Sequence, residues 1–312
     1  MLRRVQPITA RHQLRFVGVR NHTGLDDRTL RKAAARGELT QVARSAFVGS
    51  SVWTALSIDE RRRLVLAARA ARAKQPIVFS HRSAADLHGV PMTGRRDTGV
   101  DVLTTLANGS RREHGFTKHA SAMPDLEVVD VEGLRVTSVA RTVVELAMVL
   151  PFRDAVASAD WALRRGIPRQ ELLALLDLLG TGAARKRGAR VIAFADPRSG
   201  SPDESKSRAL IDELGFPPPD LQARFEDEFG FIGDVDFFWS HVPLIGEFDG
   251  AIKLRDPAML RGRTPAEVVR DEKRREDRLR RQGPLVVRWG HEDLSMSRLG
   301  TILFGAGLRP VV

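Results

Sequence analysis

At 312 residues the chain is long enough for two or three domains, which excludes a single small module. It contains no cysteine, so disulfides and thiolate metal sites are excluded and any metal must sit on oxygen or imidazole. Lys and Arg number 50 against 39 Asp and Glu, and the surplus lies at the front, where residues 1–100 hold 19 basic and 7 acidic side chains against 31 and 32 in the remainder. A positive field localised in this way suits a surface that binds phosphates, because each neutralised phosphate releases condensed counterions. An arginine-rich compositional bias would not spare the rest of the chain. No stretch approaches the roughly 18 apolar residues of a membrane span, and Met1-Leu2-Arg3-Arg4 is not followed by the apolar run of a secretion signal. A soluble cytoplasmic protein with no membrane partner is expected.

In chain order, Ile8 to Gly18 reads as a short helix and Leu25 to Arg36 as a second, with Asp26 able to cap it and Gly37 placed to stop it. Glu38 to Val42 and Ala46 to Val48 read as two strands around a turn at Ala43 to Ser45. This is a winged helix-turn-helix pattern over residues 1–55. Its second helix carries Arg28, Arg31, Lys32 and Arg36, whose helical spacing can present them to a major groove. A solvated basic helix face is the competing explanation.

Residues 56–182 read as an α+β middle domain. An amphipathic helix, Ile58 to Lys74, carries the stripe Leu64, Val65, Ala68 and Ala71. Val78 to Pro91 reads as a strand end, a helix and a Gly/Pro stop. Alternating stretches at Val100 to Leu103, Phe116 to His119, Leu126 to Val129 and Leu134 to Val136 predict short strands. Three helices follow, from Thr137 and at about 152–165 and 168–178. The segments Ser80-His81-Arg82-Ser83-Ala84-Ala85-Asp86-Leu87-His88-Gly89 and Thr137 through Ala147, behind the winged-helix pattern, resemble those of the AbiEi-type antitoxin and transcriptional regulator family over roughly residues 5–180. Ser45-Ala46-Phe47 departs from the Gly-x-Tyr that relatives tend to carry in the wing. The resemblance implies DNA binding and autoregulation, with a cognate toxin as a further partner and a homodimer as an allowed assembly.

A linker is expected from Gly180 to Arg190, with a second breaker at Pro197 to Pro202. Residues 190–312 form the last predicted domain. Pro202 to Gly215 is a capped helix with Glu204 in its first turn. Leu221 to Phe225 and Gly233 to Trp239 read as antiparallel strands, and Leu244 to Gly250 as a third. Period-2 geometry puts Asp234 and Asp236 on one side of their strand, with Val235 and Phe237 opposite, and puts Glu247 and Asp249 on one side of theirs. Acids on neighbouring strands require partners or a cation, since an uncompensated buried charge costs several kcal/mol. Oxygen ligands from Asp236 and Glu247, a carbonyl near Phe248 and waters suit Mg²⁺ or Mn²⁺. Such a metal would activate water and offset charge on a scissile phosphate. A structural salt bridge to Arg274 or Arg275 is the alternative.

From Pro202 to Leu294 this order of elements resembles the PD-(D/E)XK nuclease superfamily, and most closely its Vsr-like branch. Glu204, Asp236, Glu247 and Asp249 match in order, as do the helix Glu272 to Arg280 and the strand Leu285 to Trp289. The resemblance implies a restriction-endonuclease-like mixed sheet flanked by helices and metal-dependent cleavage of DNA. Asp249 stands where many members carry the lysine that positions the attacking water, so Lys253 is the candidate for a migrated catalytic lysine or a surface loop residue. The missing lysine equally motivates a non-catalytic regulator with a degenerate nuclease domain. Arg288 and Trp289 are expected to pack rather than react. His81 and His88 lack a third ligand at metal spacing and read as structural. No serine elbow, Walker loop or dinucleotide fingerprint is present, so no nucleotide cofactor is expected. The chain as a whole is predicted to be an α/β multidomain protein.

Overall fold

The computed structural model describes residues 8, 11, 13–16, 27–94, 98–105, 110–250 and 264–311. The chain is mixed α/β, with its strands gathered into three sheets. Three domains are expected from the sequence, and the chain divides into two compact units. One comprises Met1–Pro91, Arg95–Met148 and Ala174–Arg185; the other comprises Met92–Gly94, Val149–Leu173 and Lys186–Val312. The reason lies in the core. Val42, Ala46 and Val48 of the front segment are buried in one cluster with Leu64, Phe79, Val100 and Val136, so the front and middle segments share an interior.

In the first unit β1 (Arg15–Phe16), α1 (Asp27–Ala35), β2 (Leu39–Ala43) and β3 (Ala46–Gly49) give an antiparallel sheet in the order β1-β3-β2. The helix expected over Ile8 to Gly18 is corrected at its end. Arg15 pairs with Phe47 and Phe16 with Ala46, because a strand there seats Phe16 against the buried cluster. The rest of that helix falls largely outside the described residues, as does the cap at Asp26. Helix α1 buries Leu30 and Ala33 against Leu39 and Phe47, and Gly37 ends the segment at φ +78, a conformation glycine adopts without a Cβ clash.

Next come α2 (Ser50–Ala55) and α3 (Ile58–Ala71), the latter opened by a Ser57/Glu60 capping box. Helix α3 buries Leu64, Leu66, Ala67 and Ala68, whereas Ala71 of the predicted stripe is exposed. Strand β4 (Val78–Phe79), helix α4 (His81–His88), β5 (Val100–Thr104), β6 (Arg111–Glu113), β7 (Phe116–Ala120), β8 (Val128–Val131) and β9 (Leu134–Thr137) precede α5 (Val139–Val149). The strands form a six-stranded mixed sheet, order β6-β7-β5-β4-β9-β8.

Helices α6 (Phe152–Arg164), α7 (Arg169–Leu179) and α8 (Gly182–Phe194) follow. The linker expected from Gly180 to Arg190 is thus mostly α8. Its Ala, Arg and Lys residues are strong helix formers, and Val191 and Ile192 supply the buried anchor that a linker lacks. Then α9 (Pro202–Glu213) leads to β10 (Asp220–Asp227), β11 (Gly230–Trp239), β12 (Leu244–Phe248), α10 (Pro265–Arg281), β13 (Leu285–Trp289) and α11 (Met296–Gly305). The sheet order is β10-β11-β12-β13. The first three strands are antiparallel, and β12 and β13, joined through α10, are parallel.

Leu210 and Ile211 of α9 and Leu299 and Leu303 of α11 pack with Phe237, Trp239, Leu244 and Trp289. Leu279 of α10 packs instead with Ile245 and Val286. Because side chains alternate along β12, Glu247 falls on the side of Ile245 that meets α10.

Candidate functional site

Asp234 and Asp236 of β11, Glu247 of β12 and Asp249 just beyond it all line one cavity of about 760 Å³. The facing wall belongs to α10 and β13 and contributes Glu272, Lys273, Arg275, Glu276, Asp277, Arg280 and Arg288. All four acids line the cavity, but Val235 packs with Ile245 and Leu279 whereas Phe237 packs with Trp239 and Trp289, so the shared side expected for Val235 and Phe237 is corrected and strict alternation does not hold along β11. Among the described lining residues, seven carboxylates meet four cationic side chains, so the cavity retains an excess of negative charge that favours a cation.

Asp236 is held from two sides. The Phe248 N–H donates to its Oδ2 at 2.9 Å, and the Gln222 amide donates to its Oδ1 at 3.3 Å. The same amide nitrogen donates to Glu204 Oε2 at 3.2 Å, so one glutamine draws the helix acid and the strand acid together. Glu204 is set in the first turn of α9 by its N–H to the Ser201 hydroxyl, and its carboxylate accepts the Gly200 N–H at 2.7 Å. Gln222 lies between the Leu221/Phe237 and Ala223/Val235 pairs at φ +51, a left-handed conformation that costs a non-glycine residue roughly 1–3 kcal/mol. Sequence reasoning missed Gln222, since a lone glutamine in a strand carries no motif. Lys253 lies outside the described residues.

Glu247 is buried, and each of its carboxylate oxygens has its own guanidinium: Arg275 Nη2 at 2.7 Å from Oε1 and Arg288 Nη2 at 2.9 Å from Oε2. Arg275 also reaches Glu272 at 3.1 Å and the Asp234 carbonyl at 3.0 Å, and Arg288 reaches Glu272 at 2.6 Å and Glu276 at 3.2 Å. Burial works against the charge on both arginines, but the hydrogen bonds and charges of these glutamates outweigh it, and both pKa values are raised. Burial likewise opposes ionisation of Glu272, yet Arg288 and Arg275 hold its pKa below the ordinary carboxylate value. Arg288, expected to be a packing residue, is therefore part of the cavity wall. Trp289 is the packing residue, fully buried with its indole N–H on Ser207 Oγ at 2.8 Å.

Glu204 and Asp236 converge on a single amide donor and offer hard oxygens, the donor chemistry that suits Mg²⁺, an ion that keeps much of its hydration and uses one or two carboxylates. Glu247 is committed to arginine as it stands. Among the described residues no three His, Asp or Glu side chains are gathered as a ready-made metal cluster. Asp236 and Glu204 thus offer hard oxygens to a water-rich divalent ion but no closed carboxylate cage, and Glu204 is not among the residues that line the cavity.

In the first unit, α1 exposes Arg28, Arg31 and Lys32 while burying Leu30 and Ala33, and Arg36, expected on the helix, is exposed in the turn just past its end. Arg36 is hydrogen-bonded to Glu38 at 2.7 Å, a contact that raises the arginine pKa and lowers that of the glutamate. His81, at φ +50, stacks on His119 with ring centroids 3.6 Å apart and lies 3.0 Å from Ser80 Oγ. His88 contacts the Thr137 carbonyl at 2.7 Å. Both histidines are thus tied to their own unit.

No family model matches the chain. The chain is similar to two proteins of Mycobacterium tuberculosis, the uncharacterized protein MT2308 of strain CDC 1551 / Oshkosh and the uncharacterized protein Rv2248 of strain ATCC 25618 / H37Rv. Each is 32% identical over 142 residues, which is 43% of this chain and 50% of the relative, so the chain spans about half the length of the relatives it matches. Among solved structures, the crystal structure of RV2827C protein from Mycobacterium tuberculosis aligns with a TM-score of 0.37 at 16% identity, covering 65% of this chain and 78% of that one.

Proposed function

We propose that the chain is a DNA-binding protein whose second unit hydrolyses phosphodiester bonds with the help of a divalent cation, Mg²⁺ or Mn²⁺. The observation that carries this reading is the single cavity faced by Asp234, Asp236, Glu247 and Asp249 from the sheet and by Lys273, Arg275, Arg280 and Arg288 from the opposite wall. A phosphodiester needs both walls, cations for its non-bridging oxygens and carboxylates for the metal. Asp236 and Glu204 would hold the ion, which when bound supplies charge neutralisation on the phosphate and acidifies a water. Gln222 keeps the two carboxylates converged, and the Phe248 N–H fixes the rotamer of Asp236. Lys253 remains the candidate for positioning the attacking water. Binding of the duplex falls to α1. The order β1-β3-β2, with α1 directly before the β2–β3 hairpin, supports a winged helix in which Arg28, Arg31 and Lys32 face the groove.

The test is supercoiled plasmid nicking by the purified chain with Mg²⁺ or Mn²⁺. Asp236→Asn should slow nicking at least about 100-fold, a loss of roughly 2.7 kcal/mol of transition-state stabilisation. Equal cutting by the variant would dismiss the assignment.

A second reading draws on the double arginine bridge at Glu247: a regulator of the antitoxin type that binds its own promoter and keeps the nuclease-like unit as a scaffold. Under it a cognate toxin is the partner to seek. A chain that takes up no divalent ion, with or without DNA, would favour this reading over the first.

A further inference from the structure

Glu247 has its two oxygens split between two different arginines, each reached from a different element, Arg275 on α10 and Arg288 on β13. Neither arginine is sealed in. Their side chains are 22% and 28% exposed, and both line the cavity. The chain also makes room for this arrangement. A Cβ on Gly233 would lie 2.6 Å from Arg275 Nε, so glycine is what lets that guanidinium lie against β11. The fork of Arg288 is only partly filled, because its Nη2 serves Glu247, Glu272 and Glu276 while its Nε, shielded from solvent, has no hydrogen-bond partner. A phosphate, which takes two parallel N–H donors from one guanidinium, would use it.

We propose that Arg275 and Arg288 form a phosphate-gripping pair held in reserve on Glu247. When a backbone phosphate of DNA enters the cavity, the two guanidiniums move onto its oxygens, and Glu247 is released to join Asp236 and Glu204 around the divalent ion. The inference rests on the reading of the cavity as a phosphodiester and cation site. Its consequence is thermodynamic: DNA and cation must tighten each other's binding by the same factor, because each removes an obstacle to the other. Duplex bound only through α1 would be indifferent to the cation.

The experiment is calorimetric titration of Ca²⁺ into the full chain, alone and with a saturating short DNA duplex, paired with duplex anisotropy with and without Ca²⁺. The wild-type chain should bind Ca²⁺ at least about fivefold more tightly with the duplex present, and the duplex more tightly by the same factor with Ca²⁺. Arg288→Lys keeps the charge beside Glu247 but loses the fork, and should lower that coupling to less than about twofold. Arg288→Gln should abolish the coupling and weaken duplex binding without Ca²⁺. Since it leaves Glu247 with one partner, its fold is checked by circular dichroism, and Arg288→Lys carries the conclusion if it fails to fold. Ca²⁺ uptake that is lost in Asp236→Asn yet independent of duplex in the wild type would overturn this inference and leave the cavity reading standing. The absence of uptake under both conditions would sink the two together, and full coupling in Arg288→Lys would overturn the role of the fork.

Discussion

Two residues show how single positions carry consequences beyond their own side chains. Gly246 sits in β12 where an added Cβ would lie 2.5 Å from the Trp289 ring and 3.2 Å from that of Trp239. Neither ring is free to retreat, as Trp289 donates to Ser207 Oγ and Trp239 to the Pro217 carbonyl, each at 2.8 Å. Gly246→Ala should therefore cost about 1–3 kcal/mol through overpacking, read as a lower urea midpoint at unchanged m-value. His81 is the second case. Burial first, and then the neighbouring His119, drive its pKa well below the ordinary 6.5, so it is neutral in the folded chain. Asp101 pulls the other way, and Arg141 and Arg82 add to the depression.

For a histidine with a depressed folded pKa, the unfolded chain binds the extra proton. The stability contribution is then whole above 6.5 and is lost as pH falls below it. His88, also lowered by burial, acts in the same direction. Glu145 beside His81 has its pKa raised by burial, which counts in the opposite sense, only between 4.5 and its raised value. The melting temperature should fall from pH 7 to pH 5.5. His81→Asn, a residue that tolerates φ +50, should flatten that slope. A slope identical to wild type would remove His81 as its source.

At the scale of elements, α1 divides into a face that packs and a face that is exposed. Leu30 and Ala33 hold it to the sheet, while Arg28, Arg31 and Lys32 are exposed and contribute nothing to that core. Replacing the three with glutamate should leave the melting temperature within about 2 °C and reduce DNA affinity at least tenfold. The slope of log affinity against log salt should flatten by about one per lost phosphate contact. Unchanged affinity and slope would remove α1 as the proposed DNA-binding element. Arg36, already shared with Glu38, should matter less than these three.

The elements were legible in uneven measure, for a local reason in each case. Helix α9 announces itself through Ser201, Pro202 and Glu204, all chemistry of the first turn. Strands β11 and β12 show themselves through acids alternating with apolar residues. Helix α8 reads as a linker because its small and basic residues hide the two apolar anchors, Val191 and Ile192, near its end. Strand β1 is two residues long and exists only because β3 lies beside it.

For the molecule as a whole, the division into two units follows from which apolar residues share an interior, and no periodicity along the chain reports that. The site divides in the same way. Glu247 falls on the side of Ile245 because side chains alternate along β12, a rule of local geometry that sequence carries, whereas Val235 and Phe237 of β11 pack in different clusters, so alternation alone does not bring Asp234 and Asp236 to the cavity. Gln222 reaching both Glu204 and Asp236, and Arg275 and Arg288 closing on Glu247, join residues from six separate elements. Sequence by itself determined the alternation along β12, the capped start of α9 and the concentration of positive charge at the front, since each is written in residues close together along the chain. Tertiary structure alone decided which cations meet which acids, because side-chain ion pairing depends on distances in space between segments whose separation along the chain says nothing about their approach.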